Sequence, residues 1–139
     1  MAVYATATEL SDYLGEDEYV RVADRDGSGA ADADAVTQAL SDASSEADSY
    51  IARWLPLSDV PSVLRRHVCA MATYSLAGNT QTDDQRRRYE DAIRWLTAVA
   101  AGKASLGIPP AETATSSAGA VAYSTQTRVM TRTTLRGVV

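Results

Sequence analysis

The sequence predicts a mainly α fold: an up-and-down helical bundle of three long helices, short N-terminal helices packed on it, and an extended or β-forming C-terminal tail. Three observations predict it. Apolar residues recur every three or four positions through residues 6–103, glycine and proline punctuate that pattern, and the composition changes near Pro109. Ala, Leu, Arg, Glu and Gln dominate the first part and favour the helix, whereas Thr and Ser crowd the end.

Each element has its own signal. Thr6-Ala7-Thr8-Glu9 fits a capping box, so a short helix follows, with Leu10, Tyr13 and Leu14 on one face and Gly15 as its stop. A second short helix runs from Glu16 to about Ala23 and presents Tyr19, Val20 and Val22. After the loop Asp24-Arg25-Asp26-Gly27-Ser28-Gly29, a long helix is expected from about Asp34. Its stripe is Val36, Leu40, Ala43, Ala47, Tyr50, Ile51 and Trp54. Asp32 or Asp34 caps its start, and Pro56 ends it by disfavouring the α conformation at Leu55.

Asp59 is placed to cap the next helix, with Pro61 in its first turn and Val60, Val63, Leu64, Val68, Met71, Ala72 and Leu76 facing inward. Gly78-Asn79 closes it. Thr82-Asp83-Asp84-Gln85 is a second capping box, opening a helix with the inner face Tyr89, Ala92, Ile93, Leu96, Val99 and Ala100, and Gly102 ends it. Short links between long helices favour antiparallel neighbours.

At 139 residues the chain suits one domain. We place a helical domain at residues 1–110, a flexible linker at 111–120 and an extended docking tail at 121–139. The linker is small and polar, with little to bury. The tail regains Val, Tyr, Met and Leu among many Thr. Arg128, Arg132 and Arg136 then share one side of a strand, with Val129 and Leu135 on the other.

Charge is unevenly spread. Residues 1–48 hold twelve acidic side chains against two arginines, while 49–110 carry eight basic and five acidic ones. An acidic front half repels nucleic-acid phosphates, which counts against sequence-specific DNA binding. It offers a complement to a basic surface on another copy. No window approaches the roughly 18 apolar residues of a membrane span, and no basic-then-apolar leader opens the chain, so the protein reads as soluble and unexported, with no membrane partner. Cys69, the single cysteine, excludes an intrachain disulfide and reads as a buried small apolar side chain.

The chemistry-bearing residues form no recognisable catalytic set, and no enzyme, catalytic residue, metal or cofactor is expected. His67 and Cys69 lie about 200° apart on a helix and cannot share a site. His67 beside Arg65 and Arg66 reads as solvated or interfacial, and no Gly-x-Ser-x-Gly elbow accompanies it. Gly102-Lys103 lacks the rest of a phosphate loop.

The Asp24–Asp32 loop matches half of an EF-hand, with Asp24, Asp26, Ser28, Gly29 and Asp32 in place, but Ala35 stands where a bidentate Glu would supply two oxygens. A turn bonded by its own Asp side chains accounts for it, and a calcium-responsive binding module is the alternative function. Arg86, Arg87 and Arg88, with Arg65 and Arg66, read as an ordinary solvated helix face or as a basic patch, whose partner is then an acidic neighbour ahead of nucleic acid.

The order of several pieces points further. Tyr4-Ala5-Thr6 precedes Glu9-Leu10, then come Asp24-Arg25-Asp26-Gly27 and the helix from Asp42-Ala43 to Tyr50-Ile51. Arg53 to Leu57, Val60-Pro61, Arg88-Tyr89-Glu90-Asp91-Ala92 and Trp95-Leu96 follow. Gly102-Lys103-Ala104-Ser105-Leu106-Gly107 closes the domain, and Arg128-Val129-Met130-Thr131-Arg132 with Leu135-Arg136-Gly137 ends the chain. In order and spacing these pieces resemble a Mu-like phage family of small head-completion proteins of the head-tail adaptor, or connector, kind.

The resemblance implies a structural virion protein: a homo-oligomeric ring, of about twelve copies by analogy with the portal, seated beneath the portal protein. It would meet a tail or second connector protein on its other side and lie close to genomic DNA in the channel. Its location would be the head-tail interface of the virion, and the host cytoplasm during assembly. The residues assigned to partner binding are Arg86, Arg87, Arg88, Arg128, Val129, Met130, Arg132, Leu135 and Arg136.

Overall fold

The computed structural model describes residues 2–110, which fold into α1 (Ala7–Leu14), α2 (Glu16–Ala23), α3 (Ala33–Ile51), α4 (Ser62–Ala77) and α5 (Asp83–Ala100). Among the described residues there is no strand. The long helices α3, α4 and α5 form the bundle, and α1 and α2 pack on α3 and α4. The linker expected at 111–120 and the tail expected at 121–139, with Arg128, Val129, Met130, Arg132, Leu135 and Arg136, lie outside the described residues.

Local hydrogen bonding sets most boundaries where the sequence placed them. Thr6 accepts the Glu9 N–H at 3.3 Å while Glu9 accepts the Thr6 N–H at 2.8 Å, the reciprocal capping box. Gly15, at φ +82°, turns the chain from α1 directly into α2. Asp32 caps α3 by accepting the N–H groups of Asp34 and Ala35. Thr82 and Gln85 repeat the box at α5, at 3.2 and 3.0 Å. At the other end Gly102, at φ +75°, lets the N–H groups of Lys103 and Ala104 reach back to the Ala98 carbonyl.

Three expectations change. The α3 pattern does not remain α-helical to Trp54: it ends at Ile51 and tightens into a 3-10 turn over Ala52–Trp54, which still delivers Trp54 to the core. Asp59 does not cap α4. Its carboxylate accepts the neighbouring Val60 N–H at 2.9 Å, and the cap position falls on Pro61, two residues on. Val63 is not inward-facing but 44% exposed, because it sits about 100° from the fully buried Leu64, on the outer side of the first turn.

The core centres on α4, which packs against α1, α2, α3 and α5 and buries residues around a wide arc from Leu64 to Ala77. Leu10, Val36, Ile51, Leu64, Met71 and Leu96 are among its fully enclosed side chains. Alanines at 43, 47, 72 and 92 let the helix backbones approach closely, which offsets the absence of Phe. Buried polar side chains are bonded, as low-dielectric surroundings demand. Ser44 donates to the Leu40 carbonyl and accepts the Tyr4 N–H at 3.1 Å, and Thr73 donates to the Cys69 carbonyl. The Gln85 amide donates to Glu18 at 3.0 Å, joining α5 to α2 across a partly buried edge. Leu106, 3% exposed, fastens the segment after α5 onto the same core.

Two tyrosines tie distant elements to α3. Tyr4 lies in the core and donates its hydroxyl to Asp48. Tyr89 stacks on Tyr74 of α4, with ring centroids 4.3 Å apart, and donates to Glu46 at 2.9 Å. Burial and the Glu46 carboxylate push the Tyr89 phenol up to about 12, so it stays a donor at any physiological pH.

Candidate functional site

Where α1 crosses α4 beside α5, three adjoining clefts of about 290, 300 and 300 Å³ share Tyr13 in their walls. Tyr13 sits there because α1 is short and Gly15 stops it one residue after Leu14, leaving the phenol at the rim instead of in the core. The first cleft is walled by Glu18, Thr73, Gln85 and Arg88, the second by Arg66, His67, Arg88 and Asp91, and the third by Glu9, Asp12, Arg65 and Arg66.

The three arginines of the triplet assigned to partner binding point in different directions. Successive helical residues point about 100° apart, so the three diverge. Arg86 pairs along its own helix with Asp83 at 3.2 Å and Glu90 at 3.9 Å. Arg87 is exposed and has no partner among the described residues. Arg88 turns into the cleft, pairs with Asp84 at 2.8 Å, reaches the Tyr13 hydroxyl at 3.5 Å and lies 5.9 Å from the centre of its ring.

From α4, Arg66 lines two of the clefts with no partner among the described residues. Arg65 bridges to Glu9 at 3.1 Å, yet its Nε is buried without an acceptor. Hydrogen bonds from the Thr6 backbone, with smaller help from its hydroxyl and from Arg65, hold the Glu9 carboxyl below the usual range against its partial desolvation. The cleft is therefore rimmed by Arg66 and Arg88, with carboxylates interleaved.

His67 is half-buried, its ring stacked on Trp95 of α5 at 4.7 Å between centroids. Burial first, then the neighbouring Arg66, lowers its proton affinity, with Asp91 opposing. Cys69 is buried where it lines the third cleft, and burial pushes its thiol up to about 11, so it carries almost no thiolate at neutral pH. These properties suit a surface that recognises carboxylates, amides and aromatic edges. The sequence placed Tyr13 on the apolar face of α1, where it is partly buried against the core, but gave no sign of the His67–Trp95 stack, which joins residues 28 positions apart on different helices.

The Asp24 loop closes on itself. Asp24 accepts N–H groups from Gly27, Ser28 and Gly29 at 2.8–3.1 Å, and Asp26 accepts Ser28 at 3.0 Å. Both carboxylates thus organise a turn, with Gly27 and Gly29 at positive φ. Among the described residues no group of three or more His, Cys, Asp or Glu is gathered to hold a metal ion. No helix among them is long and apolar enough to cross a membrane.

This chain is similar to proteins of phage Mu and of a Mu-like prophage. It is 52% identical over 75 residues, 52% of this chain and 53% of the relative, to the Mu-like prophage FluMu protein gp36 of Haemophilus influenzae. It is 41% identical over 73 residues, 51% of this chain and 52% of the relative, to Gene product J of Escherichia phage Mu. The chain spans about half the length of these curated relatives. The family described as Bacteriophage Mu, Gp36 matches residues 4–125, which covers every helix and the cleft. The chain is a Mu-like phage protein and belongs to the Bacteriophage Mu Gp36 family.

Proposed function

We propose that this chain is a structural virion protein, a head-tail adaptor whose copies form a ring beneath the portal, join capsid to tail and continue the DNA channel. The observation that supports it best is a rigid helical bundle that leaves charged groups of both signs unanswered at its surface, Arg66 and Arg87 among them, in a chain of a phage Mu family. Unanswered charge on a rigid scaffold is suited to specific, symmetric contacts between protein subunits. In this reading about twelve copies would match the portal's symmetry. The Tyr13 cleft and the Arg87–Arg88 edge of α5 meet neighbours, and residues 121–139, with Arg128, Val129, Met130, Arg132, Leu135 and Arg136, dock on an adjacent subunit or on the tail-side partner.

The test is removal of the gene from the phage genome that encodes it, followed by electron microscopy of the lysate. Filled heads and free tails that fail to join, with joining restored by the full-length chain, are expected. Infectious particles formed without the chain would overturn the proposal. A chain ending at Pro110 should melt like the full-length protein yet fail to restore joining, which separates the tail's docking role from folding.

A further inference from the structure

Helices α3 and α4 pack on each other but carry opposite charge. Residues 33–51 include Asp34, Asp42, Glu46 and Asp48 with no basic side chain, whereas 62–77 include Arg65, Arg66 and His67 with no acidic one. The pairing inside one copy leaves this imbalance open. Glu46 is taken up by Tyr89, Asp48 by Tyr4 and Arg65 by Glu9. On the solvent face of α3, Asp42 is met by the Gln38 amide alone at 2.7 Å, and the Asp34 carboxylate has no partner among the described residues. On that of α4, Arg66 is equally unanswered.

α1, α2 and α5 all pack on both α3 and α4, and within one copy neither Asp34 nor Asp42 is paired with Arg66. Thr37, Ser45 and Ser49 keep the α3 face shallow, so another helix can approach its carboxylates. On α4, Val63 lies one turn before Arg66 and is one of the two large apolar side chains most exposed among the described residues. An exposed valine beside an unpaired cation is the composition of an interface centre and its polar edge.

We propose that the α3 face of one copy, through Asp34 and Asp42, docks on the α4 face of the next copy at Val63 and Arg66. The contact is heterologous, since different surfaces meet, so repeating it builds a ring or an open row instead of a closed two-fold dimer. Glu9 and Asp12 also line the cleft beside Arg66, and Glu9 is neutralised by Arg65. The inference deepens the adaptor reading and rests on it for copies standing side by side.

Disulfide trapping in the full-length chain tests the contact, with buried Cys69 contributing no accessible thiol. The double variant Gln38→Cys with Ser62→Cys, at exposed positions that keep Asp34, Asp42, Val63 and Arg66, is oxidised both as purified protein and in assembled particles. A ladder of disulfide-linked oligomers is expected, whereas either single variant alone gives none and a mixture of the two gives a dimer. Reversal by Arg66→Glu in a separate chain should abolish association, and adding Asp34→Arg and Asp42→Arg should restore it. Single variants that crosslink to themselves would replace the heterologous contact with a two-fold one and overturn the proposal. So would a chain present in particles that gives no ladder, while a ladder from a chain absent from particles would overturn the adaptor reading alone.

Discussion

Tyr4 offers the sharpest test of how the N-terminal segment is held. Its ring is 3% exposed, its hydroxyl donates to Asp48 and its N–H is accepted by Ser44 at 3.1 Å. Burial first, then the Asp48 carboxylate, raises its phenol well above the ordinary value, so the proton stays on Tyr4. Tyr4→Phe keeps the ring and removes only that donor. A hydrogen bond to a charged group contributes about 1.5–3 kcal/mol. Asp48 is half-buried and water can rehydrate it, which places the loss near the lower end, about 1.5 kcal/mol.

For a domain of this size each kcal/mol moves the melting midpoint by about 4–8 °C, so a drop of about 6–12 °C is expected in far-ultraviolet thermal melts. Asp48→Ala should cost a similar amount, and the double variant little more than either single one, giving a coupling of about 1 kcal/mol or more. A shift below about 2 °C, or losses that simply add, would refute the claim that this bond fastens the N-terminus to α3. Tyr4→Ala also removes the ring and should cost about 3–5 kcal/mol.

Other outcomes follow from the caps, the cleft and the loop. Thr82→Ala should cost about 1 kcal/mol because it breaks the α5 capping box, whereas Asp59→Ala should stay within about 0.5 kcal/mol because Asp59 caps no helix; chemical denaturation of both variants checks the contrast. His67 has a folded proton affinity below its unfolded value, so its contribution is fully present above pH ~6.5 and is lost as pH falls through the folded value. Stability measured from pH 7 downward should therefore decline, and His67→Gln should flatten that slope; an unchanged slope counts against the assignment. Asp26→Ala should lower stability only slightly, because it removes one exposed turn bond, from the Ser28 N–H. Calorimetric titration with calcium should show no micromolar binding that the substitution removes; such binding would restore the calcium-module reading.

Much of this protein was legible in its sequence because helix boundaries are decided within about four residues. Thr6 with Glu9, Asp32 and Thr82 with Gln85 cap helices where their spacing said they would, since the donors they satisfy are two or three residues away. The stripes Val36–Leu40–Ala43–Ala47 and Ala92–Leu96–Val99 face inward because 3.6-residue periodicity is a property of the chain itself. Membership in the phage family was likewise readable from the order of short motifs along the chain.

Contacts between elements were decided only by the tertiary structure. Val63 is exposed because the rest of the bundle meets the Leu64 side of the first turn of α4, and Asp59 failed as a cap because the helix start fell beyond it, after Pro61. The Arg86–Arg88 run looked like one patch but was divided by the helical turn and by which side faced Tyr13. Tyr4 with Asp48, Gln85 with Glu18 and His67 with Trp95 span 44, 67 and 28 positions, and no local propensity encodes such a pairing. They form because packing four amphipathic helices around α4 brings these side chains within reach of one another, and that arrangement exists only once all five helices are in place.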